Sequence, residues 1–538
     1  MIFDEALRHG ESVAPPRDPV FGRAGIAATA HPLVSLTAVD IIRRGGTAVD
    51  AAIAGGAMLM VVEPRNGHPG GDLFMQVDAG NGDVVAINGS GAAPAQATLE
   101  RYRELGGIPE HGLLSAAVPG VIAGWKEAHA RWGKLPLKDC LSPAIAAARE
   151  GVPVTPRFHK LLETDAPVYA RYPASARVFL PGGKVPEAGS TFAQPLLART
   201  LERLAENGLD DFYRGALAEE LVAFSRANGG LFAREDFSEH RSEVRSPVTI
   251  RYRGFEVSQQ PPVSQGITVL LALRILERFE LARFPHDSPE RIHLIAEAYS
   301  LAYEERLRTL GDPRFITFDE AAFLSDDLTE RLAARLDLRR SLAIAASTAD
   351  HPDTTFAAYA AGPMTVAYIH SLYSGSGVVM GETGALMNSR LRNFSLDAAS
   401  PNVLAPCKRP VHTLNTWLIR RDGKTLFAGG TPGAQWQVQT NLQIVTNLID
   451  YGMDLVDAQN APRFTIGNQL ADPDRTIKLE SRAGAHVFEG LRDRGHPVEA
   501  IGPWDAGGAV QLVARDARTG MLRGATEVRR PGCTVLGV

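Results

Sequence analysis

Strand-like segments crowd both ends of the chain and helical periodicity fills its middle, and that order limits the folds open to it. Near the N-terminus "GIAATAHPLVSLTAVDIIRRGGTAVDAAIAGGAMLMVVEP" reads strand, helix, helix. Leu36, Val39 and Ile42 recur at helical spacing, Arg43 and Arg44 fill the last turn, and Gly45 stops it. Thr47 with Asp50 makes a capping box for the next helix. "LFMQVDAGNGDVVAING" alternates on both sides of Gly-Asn-Gly-Asp and predicts a hairpin. From Pro119 to about Leu310 the pattern is mainly helical. Leu197, Leu201 and Leu204 mark one apolar stripe, and "PERIHLIAEAYSLAYEERLRTLGDP" predicts a long helix ended by Gly311 and Pro313. "VRSPVTIRYRGFEVSQQPPVSQG" interrupts this region as two strands and a turn, and the last third alternates strands with one clear helix, "TNLQIVTNLIDYG". Such an order predicts sheets covered by helices in one large α/β (α+β) body.

Bulk properties narrow the function. The 538 residues are 45% hydrophobic and 22% charged with a net charge of −5, which favours neither nucleic acid nor an anionic membrane as partner. The three cysteines, Cys140, Cys407 and Cys533, are far apart and in no metal spacing, as expected in a reducing compartment. The first 25 residues carry acids and prolines where a secretory signal needs an apolar stretch. No 18-residue apolar run predicts a membrane span. A cytoplasmic enzyme is the expectation. G-x-S-x-G, H-E-x-x-H, Walker A and C-x-x-C motifs are absent. "GSGVVMG" has the wrong spacing for a dinucleotide loop, and the fourteen histidines show no ligand cluster. No cofactor and no metal are expected.

One junction carries chemistry. A weakly patterned linker, Leu342 to Asp353, runs into "HPDTTFAAY" and then strands. A threonine hydroxyl is a poor nucleophile unless a base takes its proton. When threonine begins a chain, its own α-amine serves, with a reference pKa of about 7.7–8.0. Creating that amine requires the Asp353–Thr354 bond to break, and the Thr354 hydroxyl can itself attack the Asp353 carbonyl. Locally, an ordinary loop-to-strand junction is the favoured reading, since Ser/Thr pairs at strand starts are common.

A run of segments, taken in order, resembles the gamma-glutamyltranspeptidase family of N-terminal-nucleophile hydrolases: "AHPLVSLTAVDIIRRGGTAVDAAIAGGAMLMVVEP", "AAVPGVIAGWKEAHARWGKLPL", "PPVSQG", "AYEERLRTLGDPRF", "DTTF", "SGSGVVMGETGALMNSRLRNFSLD", "PNVLAPCKRPVHTL" and "GGTPGAQWQVQTNLQIVTNLIDYGMD". The resemblance implies a four-layer αββα sandwich. It also implies a proenzyme cut between Asp353 and Thr354 into a large-subunit region, 1–353, and a small-subunit region, 354–538, within one intertwined body.

The resemblance further implies roles, one position at a time. Thr354 matches the nucleophile, and Thr355 the second threonine of a Thr-Thr-His motif whose third position here is Phe356. Gly433 matches the first glycine of the Pro-Gly-Gly oxyanion turn, with Ala434 in place of the second and Gln435 following. Ser371 falls where transpeptidases carry an asparagine for the glutamate backbone, and Asn393 where they carry an aspartate for the α-amino group. His412 and Thr413 replace a Ser-Ser pair, as in a His-Thr branch that includes oxamate amidohydrolase-like proteins. Ser90 and Ala92 stand where arginines grip a carboxylate, which leaves Arg390 as the candidate guanidinium and Arg65 as a weaker one. The implied activity is cleavage of a small amide through an acyl-enzyme. A true gamma-glutamyltranspeptidase or glutathione hydrolase, and a non-catalytic homologue, are the alternatives. Expected partners are a small-molecule amide and the two fragments of the chain itself, with homo-oligomerisation left open.

Overall fold

Residues 18–344, 354–467 and 475–538 are described by the computed structural model of the protein. Two seven-stranded sheets form its centre. The first runs Val20–Gly22, Leu522–Ala525, Gln511–Arg515, Lys424–Gly430, Trp417–Arg421, Phe255–Gln259, Val248–Tyr252. The second runs Thr534–Gly537, Gly25–Thr29, Thr355–Ala361, Met364–Ser371, Asp72–Asp78, Val84–Gly89, Glu243–Arg245. Both sheets take strands from both sides of residue 353, so the two regions are intertwined.

Side-chain alternation along Thr355–Ala361 shows why the layers stack. Successive strand residues point to opposite faces. Phe356, Ala358 and Ala360 pack with Phe74, Leu418, Ala428 and Val513 in a core between the two sheets. Ala357, Tyr359 and Ala361 point the other way, into a core with the helix Ala48–Val62. The first sheet is covered by Ile267–Leu276, Pro289–Thr309 and Trp436–Ile449. The order helix, sheet, sheet, helix is the expected αββα sandwich.

Most local readings hold, although Leu36 is exposed while Val39 and Ile42 are buried. Thr47 and Asp50 make the capping box, with Asp50 N–H to Thr47 Oγ1 at 3.1 Å and Thr47 N–H to Asp50 Oδ2 at 2.8 Å. The hairpin pairs Asp72–Asp78 with Val84–Gly89. The long helix ends at Thr309, before Gly311. The helix read in the last third begins at Trp436, four residues before the segment its periodicity marked, and two further helices, Leu455–Asn460 and Ala485–Asp493, follow it. Asp353 and most of the predicted linker lie outside the described residues. Among the described residues no helix is long and apolar enough to cross a membrane.

Candidate active site

Thr354 immediately precedes the strand Thr355–Ala361, third in the second sheet, and is 2% exposed. Its carbonyl accepts from Arg530 Nη1 at 3.3 Å. Arg530 Nη2 also donates to both oxygens of Glu63, at 3.0 and 2.8 Å. Glu63 caps the C-terminus of the helix Ala48–Val62 and accepts from Thr355 Oγ1 at 3.2 Å and from Asn66 Nδ2 at 3.1 Å. The Thr354 carbonyl and the Thr355 hydroxyl are thus held by a buried ion pair. The sequence reading did not single out Glu63 or Arg530.

Phe356 stands where the family motif has histidine, and its ring lies against Gly430. A Cβ at Gly430 would sit 2.3 Å from Phe356 Cε2. The phenyl ring therefore fills the space that a glycine leaves at the end of Lys424–Gly430, just before the turn 431–434. Gly433 has φ +122° and Ala434 φ +48°. The left-handed region costs a non-glycine residue about 1–2 kcal/mol, so Ala434 holds a conformation that glycine would adopt freely. Gln265 Nε2 fixes the turn by donating to the carbonyls of Ala434 at 3.0 Å and Thr413 at 2.9 Å.

A second buried group gathers around Asp72, on the strand register opposite Ser371. Asp72 Oδ2 accepts from Arg390 Nε at 2.8 Å and from His412 Nε2 at 3.2 Å, and all three side chains are fully buried. Burial alone would push the Asp72 carboxyl up. Arg390, His412 and the Gly91 N–H together hold it below its ordinary value, so the pair stays ionised. Burial, with Arg390 adding, lowers His412 to about 4. Its Nδ1 accepts from Leu414 N–H at 3.2 Å, which assigns the proton to Nε2 and directs it at Asp72. Arg390 Nη1 reaches Thr413 Oγ1 at 3.5 Å, and Arg390 stacks on Tyr373 with 5.0 Å to the ring centre. Ser371 Oγ accepts from Tyr373 N–H at 2.8 Å, and Asn393 Nδ2 donates to Val411 O at 3.1 Å.

The candidate guanidiniums are therefore engaged inside the protein. Arg390 belongs to Asp72. Arg65 Nε pairs with Asp165 at 2.6 Å. At the loop holding Ser90 and Ala92 a guanidinium does arrive, from Arg409, whose Nε donates to Ser90 O at 3.0 Å. It is also bonded to Arg241 O at 2.6 Å and paired with Glu243. Histidines do cluster, contrary to the sequence reading. His293 and Glu297, one turn apart on Pro289–Thr309, meet His496 from a distant loop. His293 Nδ1 and His496 Nε2 are 2.7 Å apart, while His293 Nε2 reaches Asp337 O at 2.8 Å.

The gamma-glutamyltranspeptidase family model matches residues 34–536. The chain belongs to this family. A glutathione hydrolase-like proenzyme of Bacillus subtilis is 34% identical over 522 residues, covering 96% of this chain and 99% of that one. An oxamate amidohydrolase proenzyme of Klebsiella pneumoniae is 32% identical, covering 94% and 97%. The crystal structure of a cephalosporin acylase from Bacillus halodurans superposes with TM-score 0.91 at 32% identity, covering 99% of each chain. This member of the gamma-glutamyltranspeptidase family is thus an N-terminal-nucleophile enzyme of the amide-hydrolase and acyltransferase type.

Proposed function

We propose that the protein is a self-processing amidohydrolase in which Thr354, freed by cleavage of the Asp353–Thr354 bond, attacks a small amide. One observation carries this reading: the buried Glu63–Arg530 pair holds the Thr354 carbonyl and the Thr355 hydroxyl at the head of a central strand. In processing, Thr354 Oγ forms an ester with the Asp353 acyl group as the peptide C–N bond breaks, and water then cleaves the ester. In turnover, Oγ adds to the amide carbonyl and its proton passes to the α-amine. The backbone N–H groups of the 433–434 turn receive the oxyanion; one such donor is typically worth on the order of 10²–10³ in rate. The C–N bond breaks, the α-amine returns the proton to the leaving nitrogen, and water resolves the acyl-enzyme. Acid, amine and free Thr354 result.

Asn393 and Ser90 favour a simple carboxylic amide over a gamma-glutamyl donor, since neither provides the charge that an amino acid's ammonium and carboxylate need. The relative named as an oxamate amidohydrolase and the acylase structure support the same reading. The test is release of ammonia from oxamate, set beside release of nitroaniline from gamma-glutamyl-4-nitroanilide. The reading expects the first to dominate and Thr354→Ala to abolish both. Faster turnover of the gamma-glutamyl compound would favour the glutathione-hydrolase alternative.

A further inference from the structure

We infer that His293, Glu297 and His496 bind one divalent metal ion of the zinc type and so fasten the 1–353 region to the 354–538 region. Local sequence brings the three together. Positions 293 and 297 are four apart on the helix Pro289–Thr309, so both side chains leave the same face. His496 follows the helix Ala485–Asp493, which ends in a glycine turn. Gly495 has φ +83°, its N–H bonds Arg492 O at 2.8 Å, and the His496 N–H bonds Leu491 O at 3.1 Å. The two helices pack in the core that covers the first sheet, whereas Thr354 heads a strand of the second. One donor atom from each of the three residues lies within 4.8 Å of the others.

The donor atoms and their supports fit such an ion. His293 Nε2–H donates to the Asp337 carbonyl at 2.8 Å, which leaves Nδ1 as a lone pair turned towards His496 Nε2, 2.7 Å away. A ligating histidine is oriented in this way, by a carbonyl on its other nitrogen. Burial disfavours the charged form of both rings. Glu297 is 3% exposed, and its Oε1 lies 3.7 Å from His496 Nε2. Oε1 also accepts from Ser341 Oγ at 2.8 Å and Leu342 N–H at 3.2 Å. Oε2 is buried with no hydrogen-bond partner among the described residues. No lysine or arginine among them makes an ion pair with this carboxylate, and Arg475 acts on it only at longer range. A buried carboxylate without a cation is costly, and two neutral imidazoles do not supply the charge. A dication does. Two imidazole nitrogens and a carboxylate oxygen suit zinc, whereas calcium and magnesium take oxygen ligands. Zinc–nitrogen bonds of about 2.0–2.1 Å need the two nitrogens only about 0.6 Å further apart than they stand. On binding, the His496 ring proton passes from Nε2 to Nδ1, and Nε2 becomes the ligand.

Titration of the purified full-length chain, stripped with a chelator, with zinc and with cobalt(II) tests this directly. One zinc per chain should bind with a Kd below about 1 µM. Cobalt should give the visible d–d absorption of a four-coordinate complex, and the melting temperature should rise with zinc but not with magnesium. Glu297→Gln and His496→Gln should each weaken zinc at least about 100-fold. His486→Gln, at an exposed histidine of the helix Ala485–Asp493, should leave zinc binding unchanged. His496→Gln lies beyond that helix and carries the test if Glu297→Gln does not fold. In cleaved protein, zinc should raise the urea concentration at which the two fragments separate on gel filtration, and an unchanged separation would overturn the fastening. A wild type that takes up no stoichiometric zinc, or variants that bind it as tightly as the wild type, would overturn the site and leave a plain histidine–histidine hydrogen bond. Uptake needs neither cleavage nor turnover, so zinc binding by a chain that stays whole would sink the Thr354 reading and leave the metal site standing.

Discussion

Glu63 and Arg530, 467 positions apart in sequence, meet in a two-point ion pair of 3.0 and 2.8 Å against the Thr354 carbonyl and the Thr355 hydroxyl. The helix ending at Val62 supplies the carboxylate, and the loop before the last strand supplies the guanidinium. Breaking a buried pair on one side leaves an uncompensated charge, which costs about 3–5 kcal/mol. Glu63→Gln and Arg530→Met should each lower the melting temperature and slow the appearance of fragments. The double variant should lose less than the sum of the two, because the partners share one interaction. Thermal melts and a time course of processing check both; strict additivity would count against the pair.

Asp72 is the only acid shared by Arg390 and His412 in the buried group, so Asp72→Asn should leave a buried guanidinium without its counter-charge. The expected loss is again about 3–5 kcal/mol, read as a shift in denaturation midpoint. Thr413→Val removes only a 3.5 Å contact to Arg390 and should cost far less.

Acid should destabilise the fold well before its carboxylates protonate. Burial lowers His412 and His68 to about 4 and His370 to about 3. Each has a folded pKa below its unfolded value near 6.5, so the unfolded chain takes up the protons first. Stability is therefore full above about pH 6.5, falls as pH drops from there towards 4, and levels off below the folded pKa values. Melting temperatures at pH 7.5, 5.5 and 4.5 check the sign. Activity should instead rise through about pH 7.7–8.0, where an α-amine becomes a free base.

Ala434→Gly should be neutral or stabilising by up to about 1 kcal/mol, since glycine adopts the left-handed conformation without the Cβ penalty. Turnover should survive, because the turn offers backbone N–H groups. Ala434→Val places a branched side chain at the same φ and should sharply reduce both stability and kcat. Denaturation curves and steady-state kinetics on the two variants separate these outcomes.

Much of the layered fold was legible because the apolar run at 355–361 and helical stripes such as Leu197, Leu201 and Leu204 are local signals. The junction at Thr354 was legible from the ordered motifs around it. Glu63, Arg530 and Asp72 were not, because their roles come from partners brought together by folding. Arg390 looked available for substrate from the family resemblance, and only the register of Ser371 against Asp72 puts a carboxylate on it. Phe356 looked like damage to a motif; the missing information was Gly430, whose bare backbone accommodates the ring.

The central claim is that Thr354 becomes a chain terminus. Intact-mass analysis and N-terminal sequencing of the purified protein test it most directly. The account predicts fragments of 353 and 185 residues, the smaller beginning Thr-Thr-Phe-Ala, and a Thr354→Ala chain that stays whole. A single uncut 538-residue chain that does not change on incubation, or a Thr354→Ala variant that still cleaves at this bond, would contradict it.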